Sequence, residues 1–494
     1  MKTATRICMT PSDLIADFDA KEPSARTKAD WLAKQAAAAS TYASVEHVVT
    51  EDDEVGDAKW RRSFDHHLRF TRAGIARTFM RRDCFVGLSV IDDLIFQAVK
   101  AGRPDIVAEV INAIVGHQLH DPGMIVLPLH GFGIAQPLAD TVRSGSHPQL
   151  VLEAAGLCVM AQTNDIAKTI ALLDDARVPM GITHDFDGPG IRSYAAGDRL
   201  SWLHSNPIMA FRFNSYSHDP YENQLFYQLR MRTLAALLLI ASLQAPCLDG
   251  EIGSDRANNQ ETLDINHYLR IEVSPRLGRL EAERIPRNVD ALSLAEASDV
   301  DVRISLAGWN ELMANGELDG HLSTLRQIET GYLTHQILDR RETKEASLYA
   351  KLVRSLDYFR RSFRANVRPS ERVIMLAIAF ETLLTDSYSG GVTARIRRRA
   401  AICLQQAGMP QALNGAVEQL FDARGKFVHS GFGPEDISLN DARLAYVACL
   451  TAVAHLARDA ALFDPVIGTL LNDKAAPTPF RVRARQAWRT LRGG

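Results

Sequence analysis

Two side chains near the C-terminal end of the chain have the types that acid–base chemistry on an anionic group requires. Arg424 and His429 stand in the segment FDARGKFVHSG, residues 421–431, with four residues between them. Imidazole is the side chain whose ordinary pKa lies near neutrality, so a histidine can take up or release a proton. A guanidinium stays charged and offers a planar fork to phosphate oxygens. The pair is therefore a candidate catalytic centre.

The spacing of the two residues places a condition on the helix that carries them. Five positions along an α-helix turn the side chain by about 140°, so the two side chains do not stack on one unbroken helix. The helix can end near Val428, where Gly431 favours a C-terminal cap and lets His429 turn back. Alternatively, two copies of the chain meet about a twofold axis and share a cleft. We expect both.

The elements that position the pair are predicted to be helices of an antiparallel bundle. From residue 347 onwards, apolar residues recur at three- and four-residue spacing and the connections are short. Glu381 is the one acidic residue in the interior of the second helix, where it either orients an active-site group or pairs with a neighbouring arginine. The predicted helices are Leu348–Phe363, Arg372–Leu384 with Ser370 as its cap, Val392–Gln406, Ala412–Val428 and Asn440–Leu462.

The order of these segments resembles the HEPN superfamily, and within it the ApeA-like HEPN domain of bacterial anti-phage proteins. The resemblance covers about residues 346–465. Gly425 stands where active family members often carry asparagine or another polar residue, and Ser430 separates the histidine from the usual glycine. The residues that carry it are Glu371-Arg372-x7-Ala379-Phe380-Glu381-x-Leu383-Leu384, then a basic helix, then Leu420-Phe421-x2-Arg424-x4-His429-Ser430-Gly431.

The resemblance implies metal-independent cleavage of RNA, which alone carries a 2′-hydroxyl beside each phosphate. Arg424 and His429 are then the catalytic residues, and Glu381 and Lys426 support them. No cofactor and no metal are implied, and family members commonly form homodimers through this domain. The candidate contacts to RNA phosphates are Arg395, Arg397, Arg398 and Arg399 on the basic helix.

The charge distribution agrees with an anionic partner for the C-terminal part. The whole chain has a net charge of −3, but residues 346–465 hold 15 Lys and Arg against 11 Asp and Glu. Residues 466–494 hold 6 against 1, and their stretch 480–492 mixes five arginines with Phe480 and Trp488. This tail either binds RNA by charge and stacking or forms a short amphipathic helix that docks on the protein.

The first 345 residues do not resemble any known family. Residues 1–245 are predicted to be mainly helical, with helices at Phe85–Val99, Ile106–Val115, Leu150–Ala161, Ile166–Leu173 and Leu225–Leu243 and a buried extended segment at Met124–Ile134. Residues 246–345 are predicted to be a small α+β connector with strands at His267–Val273 and Val300–Leu306. The fold class is therefore mainly α, with a C-terminal bundle at 346–465 and a basic tail at 466–494.

Composition restricts the location and the cofactors. Six scattered cysteines, no N-terminal signal pattern and no apolar run long enough to span a bilayer indicate a cytoplasmic protein without membrane partners. Histidines at His66–His67, at His117 and His120 with His130, and in the loop at His184 lack the spacing of a third and fourth ligand, so no metal site is expected.

The resemblance thus implies an endoribonuclease of the HEPN type, acting in bacterial anti-phage defence by abortive infection. The front part would sense an activating signal of unknown nature or position the RNA substrate. The alternative is a catalytically inactive HEPN bundle that serves as an RNA-binding or dimerisation module.

Overall fold

The chain divides into two compact units in its computed structural model. One unit comprises residues 1–341 with 363–365, and the other comprises 342–362 with 366–494. No unit boundary lies at 245/246, because strands from both sides of that position pair in one sheet. The described residues are 10–50, 57–116, 123–137, 147–195, 202–216, 220–253, 267–274, 279–286, 299–339, 344–364, 367–386, 391–430, 437–458 and 467–473.

The first unit begins with a group of packed helices. The helices α2 and α5 pack on each other, and α6 packs on both α5 and α7. These helices are α1 Pro11–Lys21, α2 Pro23–Leu32, α3 Ala36–Ala39, α4 Val45–Thr50, α5 Ala58–Met80, α6 Leu88–Lys100 and α7 Ile106–Gly116. The predicted pair at Phe85–Val99 and Ile106–Val115 is thus confirmed as α6 and α7, except that Phe85 and Val86 form a short strand, β1.

An antiparallel sheet follows, and most of it lies in the region predicted to be mainly helical. Its six strands run in the order β10-β9-β2-β6-β5-β4. The remaining strands form a parallel pair, β1 with β7, and a three-stranded sheet in the order β11-β3-β8. The strands after β1 are β2 Gly123–Pro128, β3 Gly133–Pro137, β4 Gln149–Leu152, β5 Leu157–Met160, β6 Ile208–Phe213, β7 Ser215–Tyr216, β8 Glu251–Gly253, β9 His267–Ser274, β10 Arg279–Pro286 and β11 Arg303–Ser305.

The predicted helix at Leu150–Ala161 is wrong. These residues form β4 and β5, joined by a single 3-10 turn at Glu153–Ala155. Gly156 adopts φ 59, a left-handed conformation that glycine takes without steric cost and that reverses the chain here. The periodicity of a short apolar run does not distinguish a buried strand from a buried helix. The two strands were therefore mistaken for one helix.

The remaining helices of the first unit pack around the sheets. Leu225–Leu243 was predicted to be a core helix and lies in α11, whose residues Leu234–Ala241 are all buried. Within the described residues, Leu225–Gln244 is the one stretch long and apolar enough to cross a membrane, and 78% of its most apolar window is buried in the protein. The helices are α8 Ile166–Arg177, α9 Gly188–Ala195, α10 Trp202–Ser205, α11 Pro220–Gln244, α12 Leu306–Ala314 and α13 Glu317–Leu333, which continues as a π-helix to Asp339.

A cluster of buried charges joins several of these elements. The carboxylate of Asp83 accepts hydrogen bonds from Arg230 at 2.6 Å, from Arg212 at 2.8 Å and from Arg326 at 3.3 Å. Glu329 in turn accepts two hydrogen bonds from Arg230, at 2.8 and 3.0 Å. The three arginines lie on β6, α11 and α13, so one carboxylate holds a strand and two helices together.

The second unit is a helical bundle. Its helices are α14 Lys344–Arg361, α15 Pro369–Leu384, α16 Val392–Gln406, α17 Ala412–Ser430, α18 Leu439–Arg458 and the short α19 Ile467–Leu470. The helices α14 and α15 are antiparallel, because Lys351 donates a hydrogen bond to the carbonyl of Thr385 while Ser355, further along α14, donates to Ala379. Tyr446 of α18 stacks on Phe359 of α14 in the core.

The bundle helices agree with the prediction, with small corrections at their ends. The N-cap of α15 is Arg368, not Ser370, because Pro369 takes the first helical position, where its missing N–H costs nothing. The described part of α18 ends at Arg458, and the predicted continuation to Leu462 lies outside the described residues.

Candidate active site

Arg424 and His429 lie on one continuous helix. The helix α17 runs unbroken from Ala412 to Ser430, so the expected helix end near Val428 is wrong. Gly425 and Gly415 do not interrupt it, and Gly431 lies outside the described residues. At 3.6 residues per turn and 1.5 Å per residue, Arg424 and His429 leave the helix about 140° and about 7.5 Å apart.

Arg424 is held by Glu381 of the neighbouring helix α15. The Nη2 atom of Arg424 lies 3.2 Å from Oε1 of Glu381, and the two side chains are 35% and 27% exposed. The rings of Phe380 and Phe421 meet edge to face at 6.3 Å and fix the register of α15 against α17 beside this ion pair. Of the two roles weighed for Glu381, the structure places it in an ion pair with an arginine, and that arginine is the candidate catalytic one.

Replacing Glu381 with glutamine should show whether this carboxylate orients the Arg424 side chain or only stabilises the folded protein. The free energy of unfolding should change by about 1 kcal/mol or less, because a partly exposed ion pair contributes little. The RNA cleavage that the resemblance implies should fall by about tenfold or more, because the guanidinium loses the carboxylate that orients it. Thermal unfolding and cleavage rate are measured on the same preparation, with Glu371→Gln, a partly exposed carboxylate in the first turn of α15, as the control. An unchanged cleavage rate in Glu381→Gln would contradict an orienting role.

His429 projects from the last turn of α17 into solvent. It is exposed and makes no hydrogen bond or ion pair with any residue that the structure describes. Lys426 and Val428 are exposed beside it, and Val428, at 54% exposed, is one of six exposed large apolar side chains among the described residues. The imidazole is therefore accessible to a bound molecule.

The basic helix α16 does not present four free arginines. Arg397 donates to Asp422 at 2.5 Å and to the carbonyl of Glu418 at 3.2 Å, which links α16 to α17. Arg395 is partly exposed. Of the four predicted phosphate contacts, Arg395, Arg397 and Arg398 thus remain partly exposed, and Arg399 is buried.

Arg398 and Arg399 instead fix the segment that contains α19. Arg398 forms a two-pronged hydrogen bond with Asp473 at 2.8 and 2.9 Å, and Arg399 donates to Asp473 at 3.1 Å and to Asp386 at 3.0 Å. The side chains of Arg399 and Asp473 are only 2% and 1% exposed. The prediction of a phosphate contact is therefore wrong for Arg399, which is enclosed, and Arg398 is already engaged by a carboxylate.

Two histidines of the first unit, His66 and His67, pack against aromatic rings. His67 stacks on Trp31 with ring centroids 4.0 Å apart, and His66 lies 4.8 Å from Phe70. Burial lowers the pKa of His67, assisted by the charges of Lys28 and His66 and opposed by a hydrogen bond to Ser63. Across the described residues there is no group of three or more His, Cys, Asp and Glu side chains arranged to hold a metal ion. His117, His120 and the basic residues of 474–494 lie outside those residues.

The class of the protein is argued from its fold and its candidate site, because the comparisons with known proteins do not identify a family. No protein-family model, no curated protein and no solved structure matches the chain. The fold defines a mainly α protein with an antiparallel sheet region, in which a helical bundle carries an ion-paired arginine and an exposed histidine on one helix.

Proposed function

We propose that the chain is a HEPN-type endoribonuclease that cleaves RNA without a metal ion. The observation that carries the proposal is the Glu381–Arg424 ion pair at 3.2 Å, about 1.4 turns along α17 from the exposed His429. The pair presents a guanidinium whose orientation is fixed and which is still 35% exposed, as recognition of a phosphate at the surface requires.

The reaction is an internal transfer of the phosphate within the RNA. Neutral His429 takes the proton of a 2′-hydroxyl, and the resulting oxygen forms a bond to the adjacent phosphorus. The bond from phosphorus to the 5′-oxygen of the next nucleotide breaks, and that oxygen takes up a proton from an acid or from water. The products are a 2′,3′-cyclic phosphate and a 5′-hydroxyl, and Arg424 neutralises the charge that builds on the phosphate oxygens.

The separation of the two side chains on α17 favours a homodimer. With His429 about 140° around the helix from Arg424, two copies related by a twofold axis bring an arginine and a histidine from different chains to one phosphate. The dimer forms through the bundle, and RNA lies in the cleft between copies. This arrangement also supplies a second histidine as the acid for the leaving oxygen.

The wider role follows from the same resemblance. The protein acts in the cytoplasm in bacterial anti-phage defence, and cleavage of cellular RNA aborts the infection. The first unit restrains the bundle until a signal arrives or guides RNA to it. The net charge of residues 346–494 is positive and supports RNA as the partner of the second unit.

A second function is favoured by two specific observations. The unbroken helix keeps Arg424 and His429 on different sides of α17 within one chain, and Glu381 already neutralises Arg424. A catalytically inactive bundle that binds RNA or joins two copies would have no need to bring the two side chains together.

Cleavage of total RNA by the purified full-length protein in the presence of EDTA discriminates between the two functions. The enzyme is expected to degrade RNA under these conditions, and the products should carry 5′-hydroxyl ends. Intact RNA, combined with RNA binding that is the same in wild type and in Arg424→Ala, would reject the enzyme in favour of the binding module. Activity that disappears with EDTA would reject the metal-free mechanism.

A further inference from the structure

A row of aromatic rings lies in the first unit along the line where α2 and α5 pack on each other. The ring of Trp31 stacks on His67 with centroids 4.0 Å apart, and the ring of Trp60 stacks on Tyr42 at 5.6 Å. All five rings of the row are partly exposed. We call the surface that they form the aromatic seam, and its members are Trp31, Tyr42, Trp60, His67 and Phe70.

The rings of α5 share one side of that helix. With 100° per residue and Trp60 taken as 0°, His67 projects at about −20° and Phe70 at about −80°. The buried Phe64 projects at about 40°, toward the core. The three rings therefore form a strip about 15 Å long that borders the buried face of α5 and stays in contact with solvent.

The tryptophans of the seam differ from the other tryptophans that the structure describes. Trp202 and Trp309 are only 5% and 0% exposed, so they belong to the core. Trp31 and Trp60 are partly exposed, and Nε1 of Trp60 is held by Oε1 of Gln35 at 3.0 Å. Fixed, accessible rings in a row are the kind of surface on which unpaired bases stack, because every base has a π face.

The helix that carries three of the rings is basic within an acidic part of the chain. Residues 1–345 hold 35 Lys and Arg against 47 Asp and Glu, whereas α5 holds six Lys and Arg against one Asp. That carboxylate, Asp65, projects at about 140°, away from the seam, and pairs with Arg69 at 2.8 Å. Lys59 and Arg62 are exposed at about −100° and −160° and form no ion pair with a described residue.

A third cation flanks the seam from α2. The ammonium of Lys28 lies 6.0 Å from the centre of the Phe70 ring, within the range of a cation–π contact. Lys28, Lys59 and Arg62 thus place positive charge beside the rings. Aromatic rings bordered by cations suit a flexible polyanion with exposed bases.

We infer that the aromatic seam binds a single-stranded segment of RNA. The bases lie on the rings, and the phosphates face Lys28, Lys59 and Arg62. A duplex does not fit this surface, because its bases are already stacked on one another and paired. The inference rests on the proposed ribonuclease function for the identity of the nucleic acid, and it names the surface by which the first unit holds the substrate.

Binding of a labelled single-stranded oligouridine tests the inference in the full-length protein. Its 2′-hydroxyls are methylated, so the proposed mechanism cannot cleave it. By fluorescence anisotropy, Trp31→Ala and Trp60→Ala should each raise the Kd about tenfold, and Trp60→Phe should keep most of the affinity because it keeps a ring. Wild-type affinity in both alanine variants would overturn the inference.

Charge variants test the same surface without disturbing the packing of the rings. Arg62→Ala should weaken binding and reduce the slope of log Kd against log salt by about 1, because one phosphate contact is lost. Arg192→Ala is the matched control, since Arg192 is an exposed arginine on α9 of the same unit, and it should bind as the wild type does. Equal effects of the two substitutions would contradict a site at the seam.

Crosslinking locates the bound strand. An oligouridine that contains 4-thiouridine should crosslink to residues 28–70 on irradiation, as mapped by mass spectrometry. Crosslinks confined to residues 344–473 would overturn the inference. Tryptophan variants that keep RNA affinity but change the oligomeric state by light scattering would overturn it in favour of contact with a second copy.

The cleavage assay distinguishes failure of this inference from failure of the proposed function. A wild type that binds RNA through the seam but cleaves none would reject the ribonuclease and leave the inference in place. A wild type that cleaves RNA, with unchanged binding in Trp31→Ala and Trp60→Ala, would reject the inference and leave the ribonuclease in place. Absence of binding by the wild type would overturn the inference directly.

Discussion

Alanine at His429 should abolish most RNA cleavage while leaving the protein folded. General acid–base catalysis by a positioned side chain contributes about 10²–10⁴ in rate, and the loss should lie in that range. Alanine at Arg424 should cost about 10²–10³, because an oriented cation no longer meets the charge that develops on the phosphate. Single-turnover cleavage of a defined RNA, measured with EDTA present, gives both values.

Matched variants show whether such losses are specific. His455→Ala removes an exposed histidine from the last turn of α18, another helix of the same unit, and should cleave as the wild type does. Arg424→Lys keeps the charge but loses the planar fork and should retain only part of the activity. Equal rates in His429→Ala and His455→Ala would remove His429 from the mechanism.

Replacing Asp83 with asparagine should destabilise the first unit by about 3–5 kcal/mol, because it leaves buried arginines without their shared carboxylate. Asp83 is only 13% exposed and pairs with Arg212, Arg230 and Arg326. Its φ is 63, which asparagine also accepts, so the substitution changes the charge without straining the backbone. Denaturant unfolding of the full-length chain measures the loss, with exposed Asp175→Asn as a control that should change stability by less than about 0.5 kcal/mol.

The same cluster should make stability depend on pH. Burial alone would raise the pKa of Asp83, but the charges of Arg230, Arg326 and Arg212 outweigh it and hold the pKa well below its usual value. The stabilisation is therefore present above the unfolded value of about 3.9 and is lost as pH falls below it. Wild type should lose more stability than Asp83→Asn between about pH 5 and pH 3, and parallel curves would contradict this account.

Much of the second unit could be predicted from local sequence because its helices are amphipathic and their connections are short. Apolar spacing gave Val392–Gln406 with the bounds that the structure has, and α17 differed only in continuing past Val428. The end of α17 could not be predicted, because the position of a glycine beyond a helix does not determine where hydrogen bonding stops. The Arg424–Glu381 contact depends on how two helices pack on each other. The sequence could therefore indicate pairing with an arginine only as one of two possible roles for Glu381.

Long-range contacts account for what the sequence did not reveal. The buried charge cluster joins residues more than two hundred positions apart in the chain. No local sequence pattern connects Asp83 with Arg212, Arg230 and Arg326. Asp473 is the one acidic residue in the basic segment 466–494, and this is the signal that could have paired it with Arg398 and Arg399. The sheet was underestimated because β4 and β5 are short and fully or alternately buried, so their apolar residues also suit a helix.

One measurement tests metal-free RNA cleavage by Arg424 and His429 most directly. After the cleavage site in a short RNA is mapped, the nucleotide on its 5′ side is replaced by its 2′-deoxy form, and both oligonucleotides are incubated with the protein and EDTA. The proposed mechanism predicts that the RNA yields a 2′,3′-cyclic phosphate and a 5′-hydroxyl, and that the substituted strand resists cleavage at that bond, because the attacking oxygen is absent. Cleavage of the 2′-deoxy strand at the same bond, or products with a 5′-phosphate, would contradict it.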